Sequence, residues 1–99
     1  MIEIKEIIQS PLFAKQKKKL HKNQIKALDN AVHKILKDPE VGILKVGDMS
    51  GIRVYKFQSI NEQILLAYEV VDDTLYLYTL GSHQNFYRRL KKYIRKNRC

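Results

Sequence analysis

The chain has 99 residues, 44% of them hydrophobic and 29% charged, and its 19 Lys and Arg against 10 Asp and Glu give a formal net charge of +9. That length suits one compact domain spanning 1–99, without room for a separate substrate or regulatory domain, and the apolar content argues against intrinsic disorder. The single cysteine, Cys99, excludes an internal disulfide and hence a stapled secreted scaffold.

A reducing cytoplasm is therefore the expected compartment. The opening MIEIKEIIQSP lacks the basic start and unbroken apolar stretch of a secretory signal, and no window approaches the ~18 apolar residues of a membrane span. A pI near 9.7 implies an anionic partner, whether nucleic acid, an acidic protein or a membrane surface, and charge alone does not choose among them.

In chain order, Ile2, Ile4, Ile7 and Ile8 near-alternate with Glu3, Lys5 and Glu6, which predicts an opening strand. Ser10-Pro11 then changes the period: Ser is a good N-cap and Pro suits the first helical position, so a helix is expected from about Pro11 to Leu20. Asn23 is a possible cap for a second helix. There Ile25, Leu28, Val32, Ile35 and Leu36 recur at helical spacing opposite Lys26, Asn30, Lys34 and Lys37, until Asp38-Pro39 stops the run.

After Gly42 the runs shorten to strand length: Ile43 to Val46, a turn from Gly47 to Gly51, Ile52 to Phe57, Gln63 to Val70, and Thr74 to Leu80, with Asp72-Asp73 as a hairpin turn. These are expected to form one antiparallel sheet. Phe86, Leu90, Tyr93 and Ile94 mark the apolar stripe of a last, largely basic helix. The predicted fold is α+β, with two N-terminal helices on one face of an antiparallel sheet and a basic C-terminal helix.

Metal and nucleotide chemistry find no footing in the motifs. His21, His33 and His83 are far apart, no CxxC or HxxxH spacing occurs, and Gly47 and Gly51 bracket a turn between strands rather than opening a helix. His33 falls on the polar side of the second helix and reads as an exposed helical His.

Two basic clusters remain. Lys15, Lys17, Lys18, Lys19 and Lys22 surround a helix end, which suits a solvated surface and an RNA or ribosome contact equally well. Arg88, Arg89, Lys91, Lys92, Arg95, Lys96 and Arg98 place seven cations and no acid in the last 12 residues, a self-repelling stretch that favours an anionic partner.

Along the strand from Ile52 to Phe57, alternation puts Arg53, Tyr55 and Phe57 on one face and Ile52, Val54 and Lys56 on the other. With two helices covering one face, the second is expected to stay open, with Lys56 pointing outward and Leu80-Gly81-Ser82-His83 nearby. His83 and Tyr87, four apart, share a helix face if the helix starts that early. A Lys, a His and a Tyr over a bare sheet face suit phosphodiester chemistry, although His83 is equally placed to cap a helix and Tyr87 to edge the core.

The segment Val46-Gly47-Asp48-Met49-Ser50-Gly51-Ile52-Arg53, then Lys56, Leu65-Leu66-Ala67-Tyr68, Leu80-Gly81-Ser82-His83 and Tyr87, resembles the RelE/ParE superfamily of bacterial toxins, nearest its YafQ-like branch. The likeness covers nearly the whole chain. It implies a RelE-like microbial RNase fold and a metal-independent, cofactor-free endoribonuclease, an mRNA interferase that cuts mRNA in the ribosomal A site and is neutralised by a cognate acidic antitoxin. By position, His83 matches the catalytic His of the YafQ-like branch and Tyr87 the aromatic that follows it. Lys56 stands where that branch has a His and RelE a Lys, Gln63 where the branch has a catalytic Asp, and Leu65 where RelE has a catalytic Arg.

In such a site an imidazole, titrating near neutral pH, moves the protons, Lys56 neutralises the phosphate and Tyr87 stacks on a base or orients the phosphate. Arg53 faces away from Lys56, which makes it structural or a peripheral RNA or ribosome contact alongside Lys15, Lys18, Lys19, Lys22, Arg88, Arg89 and Lys92. Two other readings stand beside the ribonuclease: a ParE-type inhibitor of DNA gyrase, and a non-catalytic RNA-binding module.

Overall fold

In a computed structural model of the chain the described residues are 3–45, 47, 51–60 and 62–97, with side chains described except at 83–85 and 96–97. The elements follow the expected order: β1 (Glu6–Gln9), α1 (Pro11–Lys18), α2 (Lys22–Lys37), β2 (Ile43–Leu44), β3 (Arg53–Ser59), β4 (Glu62–Val71), β5 (Thr74–Ser82) and α3 (His83–Asn97). Ile2 of the predicted opening strand, Val46, residues 48–50 of the predicted turn, Arg98 and Cys99 lie outside the described residues.

Ser10 opens α1 as expected. Its hydroxyl accepts from the Phe13 amide at 2.9 Å and donates to the Tyr78 carbonyl at 2.6 Å, so one side chain caps the helix and ties it to β5. At α2 the cap is not Asn23 but His21, whose amide donates to Gln24 Oε1 at 2.8 Å. The reason is reach: with the helix starting at Lys22, Gln24 sits three residues past the cap and folds back on it, which it could not do if Asn23 were the cap.

The sheet order is β1-β5-β4-β3-β2. β2, β3, β4 and β5 are antiparallel as predicted, but β1 joins β5 in parallel, with Glu6 opposite Thr74 and Gln9 opposite Leu77, so the sheet is mixed. The intervening elements return the chain to the same direction beside β5, an outcome that no local pattern around Ile7 encodes.

β4 is the central strand, and Ile64, Leu65, Leu66, Ala67 and Tyr68 are all buried. Ile64, Leu66 and Tyr68 pack with Phe13, Leu28 and Ile35 beneath α1 and α2, while Leu65 and Ala67 pack with Ile52, Val54, Phe86, Leu90 and Ile94 beneath α3. The second face is therefore not left bare: α3 folds back over most of it. A strand buried on both faces reads as a continuous apolar run, as this one does.

The join between α2 and β2 depends on one buried tyrosine. The Tyr68 hydroxyl donates to the Pro39 carbonyl at 2.8 Å and accepts from the Gly42 amide at 2.9 Å. A Cβ on Gly42 would lie 2.8 Å from the tyrosine ring, so glycine is required there by close approach. Tyr68→Phe leaves a buried amide unpaired and is expected to cost about 1–3 kcal/mol by urea unfolding at neutral pH; an unchanged midpoint contradicts this role.

Burial pushes the Tyr68 phenol above its ordinary 10.0. A folded value above the unfolded one means that the stabilisation is complete below about pH 10 and is lost as pH rises further, so the Tyr68→Phe variant should show a shallower alkaline loss than wild type.

Candidate active site

Three strands bring one row of residues together on the α3 side of the sheet: Lys56 of β3 pairs with Leu65 of β4, and Leu65 with Gly81 of β5. Lys56 is exposed at one end of the row. At the other end a Cβ on Gly81 would meet none of the described side chains within 4 Å, immediately before the chain turns into α3 at His83. Gln63, two residues before Leu65 and on the same face, is also exposed. Lys56, Gln63 and Gly81 thus lie on three adjacent strands, on the sheet next to the point where β5 passes into α3. The backbone of His83 is placed there, while its side chain lies outside the described residues.

Leu65 is 1% exposed beneath Phe86 and Leu90. An arginine at this position, as the family pattern has it, would have to push α3 aside. Leu65 therefore serves the core between β4 and α3.

One turn into α3, Tyr87 is half-buried and meets Phe86 edge-on, with ring centroids 5.2 Å apart at 88°. Lys45, just beyond β2, holds its ammonium 5.0 Å from the centre of the Tyr87 ring. Tyr87 thus edges the core and lines the surface at once. Lys45 is the residue that sequence reading missed, because its proximity to Tyr87 is created by the sheet and has no local signature.

The remaining basic residues divide into separate places. Arg53 is on the opposite face, where its guanidinium donates to the carbonyls of Gly42 at 2.8 Å and Glu40 at 3.2 Å, holding the loop that Tyr68 also holds. Lys15 and Lys19 of the α1 segment meet Arg89 and Lys92 of α3 across a groove. Lys18 and Lys22 are exposed but do not line it, and Arg88, Lys91 and Arg95 form an outer stripe of α3. His33 is exposed, as expected.

Among the described residues no group of three His, Cys, Asp or Glu comes together, and no helix is long and apolar enough to cross a membrane.

The family model for ParE-like toxins of type II bacterial toxin-antitoxin systems matches residues 7–91, and the chain belongs to that family.

Among solved structures it is similar to a double-arginine mutant of Escherichia coli toxin RelE in the free state, at 14% identity and a TM-score of 0.74, covering 98% of this chain and 99% of that one. It is also similar to the intact E. coli RelBE toxin-antitoxin complex, at 16% identity and a TM-score of 0.66 over 79% of this chain and 95% of that one. YafQ from E. coli matches at 21% identity and a TM-score of 0.52, over 82% and 96%. These likenesses support the fold. No curated protein matches the chain by sequence.

Proposed function

We propose that this toxin is an endoribonuclease that inhibits translation by cutting mRNA on the ribosome, with Lys56, His83 and Tyr87 as its working residues and Gln63 at the rim. The observation that carries the reading is the exposed Lys56 in register with Gly81, at the place where β5 passes into α3 through His83. Lys56 and the amides of the first helical turn supply positive potential for a phosphate, the lysine as a point charge and the amides as oriented donors.

In the reaction the RNA 2′-oxygen forms a bond to phosphorus and the bond from phosphorus to the 5′-oxygen breaks, giving a 2′,3′-cyclic phosphate and a free 5′-hydroxyl. His83 moves the protons, taking one from the 2′-hydroxyl or delivering one to the departing oxygen. Lys56 balances the charge that builds on the phosphate, and Tyr87, with Lys45 beside it, supports the neighbouring base. None of these roles calls for a metal or cofactor. Ribosome dependence follows from the spareness of the set, because a rigid ribosomal A site would supply the substrate placement that so few side chains cannot. A cognate acidic antitoxin, binding the cationic α3 surface, would hold the toxin silent, and action at the ribosome places it in the cytoplasm.

The family's ParE name keeps DNA gyrase as the second target to test. Induced expression, with mRNA 5′ ends and plasmid supercoiling measured in the same cells, separates the two. The ribonuclease reading predicts new 5′ ends within coding sequences and unchanged supercoiling; relaxed plasmids with intact mRNA overturn it.

A further inference from the structure

On the side of α3 away from Lys45, two grooves meet at Pro11 and Tyr93. One, of 570 Å³ between α1 and α3, is walled by Lys15, Lys19, Arg89 and Lys92, and the other, of 330 Å³, continues along the β1–β5 edge past Tyr78 and Tyr76. Among the described residues no acid lines either groove; the nearest carboxylate named beside the rings is that of Glu69, whose Oε1 accepts from the Tyr78 hydroxyl at 2.7 Å and so holds that ring in place. Tyr76 and Tyr78 are stacked with centroids 6.3 Å apart at 13°, and Tyr78 and Tyr93 follow at 5.7 Å and 41°, so three rings form a ladder leading into the basic groove.

The floor of the basic groove is fixed by Gln16, which ties α1 to β5. Gln16 Oε1 accepts from Thr79 Oγ1 and from the Leu80 amide, each at 3.0 Å, which fixes the orientation of the carboxamide. Its Nε2 is buried and, among the described residues, has no hydrogen-bond partner.

From this combination we infer that the grooves form a track for single-stranded RNA, separate from the cleavage site and on the far side of α3. A positive channel that follows the backbone, joined to aromatic rings on which bases stack, is the physical basis of sequence-tolerant single-strand binding. Phosphates lie along the four cations, and bases rest on the tyrosine ladder. An acidic amphipathic helix would satisfy the charges but needs a broader apolar seat than Pro11, Leu12 and Tyr93 provide. The inference shares with the proposed function only its ligand class.

The test uses the intact chain and fluorescein-labelled oligouridine, with fluorescence anisotropy read over a salt series. The variant carrying Lys15→Gln, Lys19→Gln, Arg89→Gln and Lys92→Gln is compared with one that loses the same charge through Lys5→Gln, Lys26→Gln, Lys34→Gln and Lys37→Gln. The groove variant should bind at least about tenfold more weakly than the control, and its slope of log affinity against log salt should be shallower by about 3, as expected when four cations leave a single-strand site. Tyr93→Leu, which keeps an apolar group in place, should weaken binding with little change in that slope.

Equal losses in the two charge variants, or full affinity in Tyr93→Leu, overturn the track, as does a groove variant that keeps RNA and loses only the antitoxin. Loss of oligouridine through Lys56→Gln with the groove variant unaffected also overturns the track and leaves the cleavage site standing. A track that binds RNA in a chain that cuts no mRNA on ribosomes removes the cleavage reading alone.

Discussion

His83→Ala should lower mRNA cleavage on ribosomes by about 10²–10⁴-fold, the range for removing a positioned general acid or base, and should abolish growth arrest on induction. Lys56→Ala should produce a loss of similar order, because the charge that builds on the phosphate then has the α3 amides but no ammonium to meet it. Neither change should cost much stability: Lys56 is exposed on β3, and the backbone of His83 begins a helix that Phe86, Leu90 and Ile94 anchor from below.

Lys56→Arg is the informative companion. It keeps the charge and enlarges the group, so partial recovery marks electrostatic work, whereas a defect as deep as that of alanine points to a more specific role for the ammonium. Full toxicity in a folded, normally expressed His83→Ala protein would remove the ribonuclease assignment.

The second large effect concerns capture by the antitoxin. Replacing Arg88, Lys91 and Arg95 with Gln should lower the association rate of the antitoxin by about 10-fold or more at low salt, since opposite fields steer encounter over that range. The same three residues recur along the outer stripe of α3 and are exposed, so the charge is presented rather than buried. Wild-type association should fall steeply as ionic strength approaches physiological values, where screening sets in beyond a Debye length of ~8 Å. Lys34→Gln with Lys37→Gln, on α2 and against the other face, should do less. Stopped-flow rates that ignore both salt and the α3 substitutions would show this stripe to be a solvated surface.

Much of the frame was readable because the signals are local. Ser10-Pro11 states where α1 begins, the period of Leu28, Val32 and Ile35 states which face of α2 turns inward, and alternation along β3 separates Lys56 from Arg53, as the structure does. What was not readable depends on return paths through space. The parallel docking of β1 on β5 joins segments nearly seventy residues apart, and the register of Ile8 with Tyr76 has no trace at either end.

The covering of the second face did leave a trace. Ile64-Leu65-Leu66-Ala67-Tyr68 contains no charged residue to face water, which an open-faced strand would carry at every second position. The candidate site divides in the same way: Gly81-Ser82-His83 and Tyr87 are near neighbours along the chain, whereas the approach of Lys45 to Tyr87 and of Lys15 to Arg89 exists only in the folded sheet and helices.

The most direct test is 5′-end mapping of a defined mRNA on purified ribosomes programmed with a known codon in the A site, with the wild-type chain, Lys56→Ala and His83→Ala compared at equal concentration. The account predicts one dominant new end within the A-site codon, carrying a 5′-hydroxyl, for the wild-type chain, and its near disappearance in both variants. Intact mRNA with the wild-type chain, or an equally strong cut with the two variants, contradicts it.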